Sequence, residues 1–330
     1  YQIGGKNVLR LLQSIFGGVT HSKYPESLIN DAIERAVDST DQALRAVSGY
    51  SKKLRPAVLS TIDHVVSMVH SLHSPLHLGL KSYSEDPRLK GFFGSADCMK
   101  NILGKDQNLA GFLKGPDGGE PQIFALMAMQ KEEKVISGAE LSGDIIIRDV
   151  PKITVSFDGH RFIDPAPDLE QTRRLLMRRA YDHLLSLALR RLAYVKSERT
   201  DLVRRSRLLQ AKHNLLGRAG LGFDEVSASE QTSIAEIEES LGKIEDELQE
   251  LGGAYNENDA YLKAVTDLLS RPKEYLQSKS ETIFVNHMGI KQSAAAYDAP
   301  ELTFNELRNA EGRSLAVIMV SLKSEELRQM

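Results

Sequence analysis

The chain has 330 residues, of which 41% are hydrophobic, 26% are charged and 6% are aromatic, and it contains no Trp. This composition excludes a wholly disordered chain and is typical of a helix-rich, elongated protein. The net charge of −3 excludes a general attraction to nucleic acid or to anionic membranes, and the single cysteine, Cys98, excludes an internal disulfide.

The sequence contains no apolar run of the roughly 18–20 residues that a membrane-spanning helix requires. No residue pattern calls for an oxidising compartment, so we expect a cytoplasmic protein without a transmembrane segment. Because the chain begins at Tyr1 and not at Met, we also expect it to be a processed or partial sequence.

Residues 1–116 are predicted to form a helical bundle. Apolar residues recur at helical spacing in 6–16, from Pro25 to about Val47, and from Pro56 to about His73. Pro56 is expected in the first turn of its helix, where a missing N–H is tolerated. Long helices joined by a short link pack antiparallel, which favours a bundle.

Residues 117–166 and 278–330 are predicted to form one small antiparallel sheet. Ile153, Val155 and Phe157 alternate with polar residues, which is the period of a half-buried strand. The following Asp158-Gly159 pair is expected to be a hairpin turn, because these residues accept a positive φ. Two later apolar runs, 282–285 and 315–322, predict further strands of the same sheet.

Residues 167–277 are predicted to form a long antiparallel coiled-coil hairpin inserted in the sheet domain. From Tyr181 to Leu216, in steps of four and three, eight of eleven positions are apolar. From Ile234 to Leu269 the same steps give ten apolar positions of eleven. Three glycines between the two helices predict a reversal: Gly217, Gly220 and Gly222. The predicted fold class is therefore α+β and predominantly helical.

The two predicted arm helices carry opposite charge. Residues 168–219 hold 13 Lys and Arg against 5 Asp and Glu, whereas residues 224–260 hold 12 Asp and Glu against a single Lys. Opposite charges beside a seam select the partner and its orientation, so we expect the helices to fold back on each other. Charged residues are expected to flank the seam: Lys196, Arg205, Lys212, Glu238, Glu245 and Glu247. Polar residues within it are expected to fix its register: Arg199, Ser206, His213 and Asn258.

A metal site is one alternative that the sequence raises. His70, His73 and His77 lie within eight residues, and neutral imidazole is a common ligand of divalent metals. No adjacent Cys or carboxylate completes a ligand set, and Pro75 interrupts the helix between the second and third histidines. A polar helix end in water is the simpler interpretation.

A nucleic-acid-binding arm is the second alternative. Four arginines near the base of the predicted arm could lie along phosphates: Arg173, Arg174, Arg178 and Arg179. The neighbouring acidic helix competes for these cations, which disfavours this interpretation.

The function predicted from these patterns is that of a non-enzymatic scaffold or assembly protein. No GxGxxG, Walker, HExxH, CxxC or GxSxG pattern occurs, so neither a catalytic residue nor a cofactor is predicted. The arm would make protein–protein contacts in an oligomer or larger complex, and Leu221 and Phe223 at its glycine-rich tip are the predicted contacts. The competing hypotheses are the nucleic-acid-binding arm and a metal-dependent enzyme with a site between bundle and sheet.

Overall fold

The computed structural model describes residues 23–142, 145–219, 228–251, 257–286, 288–294 and 299–329. Helices account for 61% of the structure and strands for 27%, which confirms the helix-dominated α+β class. The helix predicted over 6–16 lies outside the described residues.

The helices follow one another along the chain as α1 (Glu26–Thr40), α2 (Tyr50–His70), α3 (Leu80–Glu85), α4 (Pro87–Phe93), α5 (Ala96–Lys105), α6 (Gln107–Lys114), α7 (Leu169–Ala219), α8 (Ala228–Glu250), α9 (Glu257–Ser270), α10 (Pro272–Tyr275) and α11 (Ser324–Arg328). Two short 3-10 turns span Gln42–Ala46 and Pro116–Gly119. The strands are β1 (Leu76–Leu78), β2 (Gln122–Ser142), β3 (Ile145–Ala166), β4 (Leu276–Val285), β5 (Lys291–Gln292), β6 (Glu301–Asn309) and β7 (Ser314–Lys323).

The chain divides into two compact units. A helical unit runs to Ile62 and resumes over Asp182–Pro272, and a sheet unit comprises Asp63–Tyr181 and Lys273–Met330. The boundary at Ile62 falls within the predicted bundle 1–116, and the boundary at Asp182 falls within the predicted arm 167–277. The helices α2 and α7 each run without interruption across a boundary.

In the helical unit, polar contacts join α2 to α9 and α1 to α7. The buried Thr61 hydroxyl donates a hydrogen bond to the Leu269 carbonyl oxygen at 2.7 Å. Arg35 binds the Asp182 carboxylate through two hydrogen bonds of 2.6 Å. The N-terminal helices of this unit are therefore held against the predicted arm by polar contacts between residues far apart in sequence.

Pro56 lies inside α2 and not in its first turn, so that prediction is wrong. The helix begins at Tyr50, directly after Gly49, which has a positive φ of 68° at the end of the preceding turn. A proline at this depth leaves the Lys52 carbonyl without its usual intrahelical donor, a loss that tertiary packing of the helix must offset.

The sheet unit contains one seven-stranded sheet in the order β3-β2-β7-β6-β4-β5, with β1 parallel to β7 and the other neighbours antiparallel. This sheet unites strands from both segments in which strands were predicted. Its two edges approach each other, since the Val155 N–H donates to the Gly289 carbonyl at 2.7 Å and Thr154 pairs with Ile290. The sheet is therefore nearly closed.

The Asp158-Gly159 pair is part of a bulge and not a hairpin turn. Both residues lie within β3, where the register to β2 shifts and Gly159 has a φ of 63°. The strands β2 and β3 pair as far as Ser142 and Ile145, and the connecting residues 143–144 lie outside the described part. A glycine bulge and a two-residue turn both need a positive φ, so the local pattern did not distinguish them.

The concave side of the sheet encloses the main core. The Phe157 ring lies 5.0 Å from Phe92 and 5.5 Å from Phe304, measured between ring centroids. Apolar residues of α4, α5 and α6 cover this cluster: Leu89, Phe92, Phe93, Met99, Leu103 and Leu109. Val155 and Phe157 are buried as their alternation predicts, whereas Ile153 near the end of the β2–β3 hairpin is exposed.

Candidate protein-interaction surface

One stripe of residues along α7 is buried. All predicted seam positions from Tyr181 to Leu202 are buried, including the polar Arg199: Tyr181, Leu185, Ala188, Leu192, Val195, Arg199 and Leu202. The four predicted positions beyond Leu202 are half-buried: Ser206, Leu209, His213 and Leu216. On α8, Ile237 and Ile244 are buried at the predicted spacing of seven. The stripe leaves the opposite side of α7 facing solvent.

Two polar contacts join α7 to the acidic segment that follows it. The His213 Nε2 lies 3.1 Å from Glu238 Oε1 on α8, and the Arg199 Nη2 lies 3.3 Å from Glu257 Oε1 on α9. Arg199 is only 3% exposed, and its Nε and Nη1 atoms have no hydrogen-bond partner among the residues that the structure describes. Because an unpaired buried N–H costs free energy, Arg199 is expected to specify the packing more than to stabilise it.

Lys196, which was predicted to flank the seam, binds a residue outside the predicted arm. Its ammonium group hydrogen-bonds Asp41, which lowers the pKa of that carboxyl, and it lies 5.0 Å from the centroid of the Tyr261 ring. This partner was not predicted, because the residues beside Asp41 were assigned to a separate bundle. The approach of distant segments cannot be deduced from seam spacing alone.

Four of the six predicted flanking charges have no ion-pair partner within the described residues. Arg205 and Lys212 on α7, and Glu245 and Glu247 on α8, are exposed and have no ion-pair partner there. Exposed ion pairs contribute little in water, because solvent screens them and ordering long side chains costs entropy. These charges are therefore available to another molecule.

The solvent side of α7 exposes large apolar side chains among these cations. Tyr194 is 56% exposed, Leu208 is 67% exposed and Leu215 is 69% exposed. Leu208 and Leu215 are seven residues apart and therefore share one face of the helix. We call Leu208 and Leu215, with the flanking Arg204, Arg205 and Lys212, the basic leucine surface. These cations lie three or four residues from Leu208, within reach of the same partner.

The basic leucine surface was missed by the sequence analysis. Both leucines lie outside the three-four steps of the predicted seam, so they were left without a role. A second search for apolar residues at intervals of seven, made after removing the seam positions, would have found Leu208 and Leu215.

The described structure does not bring the three predicted histidines together as a ligand set. The His73 Nε2 lies 2.8 Å from the Ser280 hydroxyl on β4, and the His77 Nδ1 lies 3.3 Å from the Ser321 hydroxyl on β7. Burial, and secondarily Arg173, lower the pKa of His70. Within the described part of the chain, no group of three His, Cys, Asp or Glu could hold a metal ion. The helix ends at His70, so helical spacing does not extend to the later histidines.

The four arginines at the base of the predicted arm divide into two kinds. Arg173 pairs with Glu170 at 2.6 Å, and Arg179 makes two hydrogen bonds of 2.7 Å to Asp164. Arg174 and Arg178 are exposed and have no partner among the described residues. Intramolecular carboxylates thus neutralise half of the predicted phosphate-binding set.

Leu221 and Phe223, the predicted tip contacts, lie outside the described residues. No helix in the described ranges combines the length and the apolar content needed to cross a membrane.

No family model, curated protein or solved structure matches this chain.

Proposed function

We propose that this protein is a non-enzymatic scaffold that assembles with other polypeptides through an arm formed by α7 and α8. We further propose that the arm is an antiparallel coiled-coil hairpin. Burial at each predicted seam position from Tyr181 to Leu202, the burial of Ile237 and Ile244, and the contact between His213 and Glu238 support this arrangement. At about 1.5 Å per residue, a helix of 51 residues is about 76 Å long and offers a large lateral surface.

The basic leucine surface is the single observation that carries the proposal. An isolated exposed leucine needs no explanation, but two leucines at one helical position, beside three cations, make a continuous amphipathic surface. Apolar knobs flanked by charge are the usual means by which one helix recognises another.

Cross-linking in the native extract tests the scaffold proposal. A lysine-reactive reagent is expected to join Lys212 on α7 and Lys243 on α8 to other polypeptides, since both are exposed on the arm. Lys100 and Lys105 on α5 are matched exposed controls in the sheet unit and should give fewer such products. If the arm lysines form products only within their own chain, the proposal is wrong.

The predicted tip contact is tested in the same extract. Replacing Leu221→Ser together with Phe223→Ser should remove a partner without changing the thermal unfolding of the protein. If every cross-linked partner of the arm survives this double substitution, the tip is not the contact.

The nucleic-acid alternative retains one supporting observation, the exposed and unpaired Arg174 and Arg178. Filter binding of RNA and duplex DNA at two salt concentrations tests it, because phosphate binding must weaken steeply as salt rises.

The metal-enzyme alternative predicts stoichiometric zinc or iron in the purified protein, and that result would also overturn the scaffold proposal.

A further inference from the structure

The acidic helix α8 has an exposed surface that complements the basic leucine surface. Gly242 is exposed, and a Cβ atom added there would meet nothing within 4 Å. Ala235, seven residues earlier, is also exposed. We call Ala235 and Gly242, with the flanking Glu238, Glu245 and Asp246, the acidic groove surface. Its small residues leave room for bulky side chains of a partner helix, and its carboxylates lie three or four residues away from Gly242.

We infer that the basic leucine surface of one copy packs on the acidic groove surface of a second copy of this chain. This inference rests on the proposed function and names the partner. Charge and shape both support it, since leucines flanked by cations would face small residues flanked by carboxylates.

A single antiparallel register satisfies the whole match. With Leu208 opposite Gly242 of the second copy, Leu215 falls opposite Ala235. The same register then sets Arg205 opposite Glu245, Arg204 opposite Asp246, and Lys212 opposite Glu238. The two leucines of one surface and the two small residues of the other are both seven residues apart. Each leucine therefore faces a small residue in this register. A partner of unrelated sequence would not be expected to match at all five positions.

The chain's own ion pairs leave these charges accessible. Arg205, Lys212, Glu245 and Asp246 have no partner among the described residues. Glu238 contacts His213 and Arg204 contacts Asp201, in both cases through largely exposed acidic groups that can exchange partners in water. The two surfaces lie on different helices of one chain, so each copy can offer one surface to each of two neighbours.

Sedimentation velocity of the purified full-length protein tests the inference. In about 50 mM NaCl the protein is expected to self-associate with rising concentration, and in about 500 mM NaCl it should dissociate, because salt screens exposed charge. A protein that stays monomeric at low salt and high concentration overturns the inference.

Two charge-reversed variants provide the specific test. Arg205→Glu with Lys212→Glu should stay monomeric alone, and so should Glu245→Lys with Asp246→Lys. An equimolar mixture should associate again, because each variant keeps the surface that the other has lost. The matched control, Lys100→Glu with Lys105→Glu on α5, should associate like the wild type. If the mixture does not associate although circular dichroism shows both variants helical, the inference is wrong.

A neutral variant covers the case in which charge reversal disrupts the arm. Leu208→Ser with Leu215→Ser changes two side chains that are mostly exposed, so the fold should be retained. The apparent dissociation constant should rise by about tenfold or more, since two apolar side chains no longer become buried on association. An unchanged constant overturns the inference.

The outcomes for the two proposals are distinguishable. If the purified chain stays monomeric but Lys212 and Lys243 cross-link to a different polypeptide in the extract, the second-copy inference falls and the scaffold proposal stands. If the purified chain stays monomeric and instead binds RNA through Arg205 and Lys212 with a steep salt dependence, both fall. Cross-links between isotopically light and heavy copies of the chain identify self-association directly.

Discussion

The core of the sheet unit and the buried stripe of α7 differ in width. The sheet unit has a broad core in which Phe157 contacts both Phe92 and Phe304, and aliphatic residues surround these rings. The partly buried Lys131 of this unit donates two hydrogen bonds to Glu281 at 2.6 and 2.8 Å. Along α7, by contrast, the buried stripe is one helix face wide and includes the incompletely paired Arg199.

This difference indicates that the sheet core and the α7 stripe meet different demands. A broad apolar core gives stability, because the free energy of burial grows with the apolar area removed from water. A narrow stripe with polar members gives less stability but specifies alignment, and it leaves most of the helix surface available for contacts.

The largest effect is expected in the sheet core. Phe304→Ala should lower the free energy of unfolding by about 3–5 kcal/mol, because the fully buried ring leaves a cavity beside Phe157. Urea denaturation measures this change. The control, Val135→Ala on the exposed end of β2, should change stability by less than about 0.5 kcal/mol. Equal effects at the two positions would contradict the proposed contrast.

A smaller and more local effect is expected in the arm. Ile244→Ala should cost about 2 kcal/mol, at the low end for such a substitution, because the stripe borders on water along both sides. Amide hydrogen exchange of α8 should then accelerate by about 30-fold, with little change in the sheet unit. Glu247→Ala, at an exposed position of the same helix, is the control. Unchanged exchange in α8 would count against the coiled-coil arrangement.

Substitution of the buried arginine should stabilise the protein. Arg199→Met keeps a long side chain and removes two buried nitrogen atoms that lack partners among the described residues, so the free energy of unfolding should rise by about 1–2 kcal/mol. The remaining Glu257 is exposed and stays hydrated. Thermal unfolding measures the effect, and Arg199→Lys, which keeps the buried charge, should give no gain. A clear loss of stability in Arg199→Met would show that the guanidinium contributes net stability.

The smallest effect is a pH dependence in the sheet unit. The His160 ring stacks on Phe93 at 4.9 Å, and its Nε2 donates a hydrogen bond to the Phe92 carbonyl at 2.9 Å. Burial lowers the pKa of His160, although the Phe92 carbonyl and the Asp158 carboxylate act in the opposite direction. Protonation therefore favours the unfolded chain. The stabilisation from neutral His160 is complete above about pH 6.5, the ordinary pKa of histidine, and is lost as the pH falls below that value.

Urea midpoints measured from pH 7.5 to pH 5 test this sign. His160→Gln keeps a donor for the Phe92 carbonyl but does not titrate, so the decline in midpoint on acidification should be smaller in this variant. A decline as steep as that of the wild type would assign the pH dependence to other groups, among them His70, whose pKa is also lowered by burial.

Features that depend on neighbouring residues in sequence were predictable. The first long helix of the predicted arm is found as α7, and the residues that apolar spacing assigned to its seam from Tyr181 to Leu202 are buried. The opposite charges of the two arm segments are likewise a property of composition. Strand β6, in contrast, was not predicted, because only Leu302 and Phe304 show an apolar alternation among Glu and Asn residues that are uncommon in strands.

Local residue patterns were enough to predict the helix-dominated α+β class, the periodic stripe of α7 and the charge of each arm helix, because each depends on residues within a few turns of one another. Three other features depend on long-range contacts: Asp158-Gly159 forms a bulge, Lys196 binds Asp41, and the histidines after α2 contact different strands. These outcomes depend on which distant segments meet. Whether two segments pack together depends on the apolar area that they bury. A single turn motif or charge contributes too little free energy to decide this.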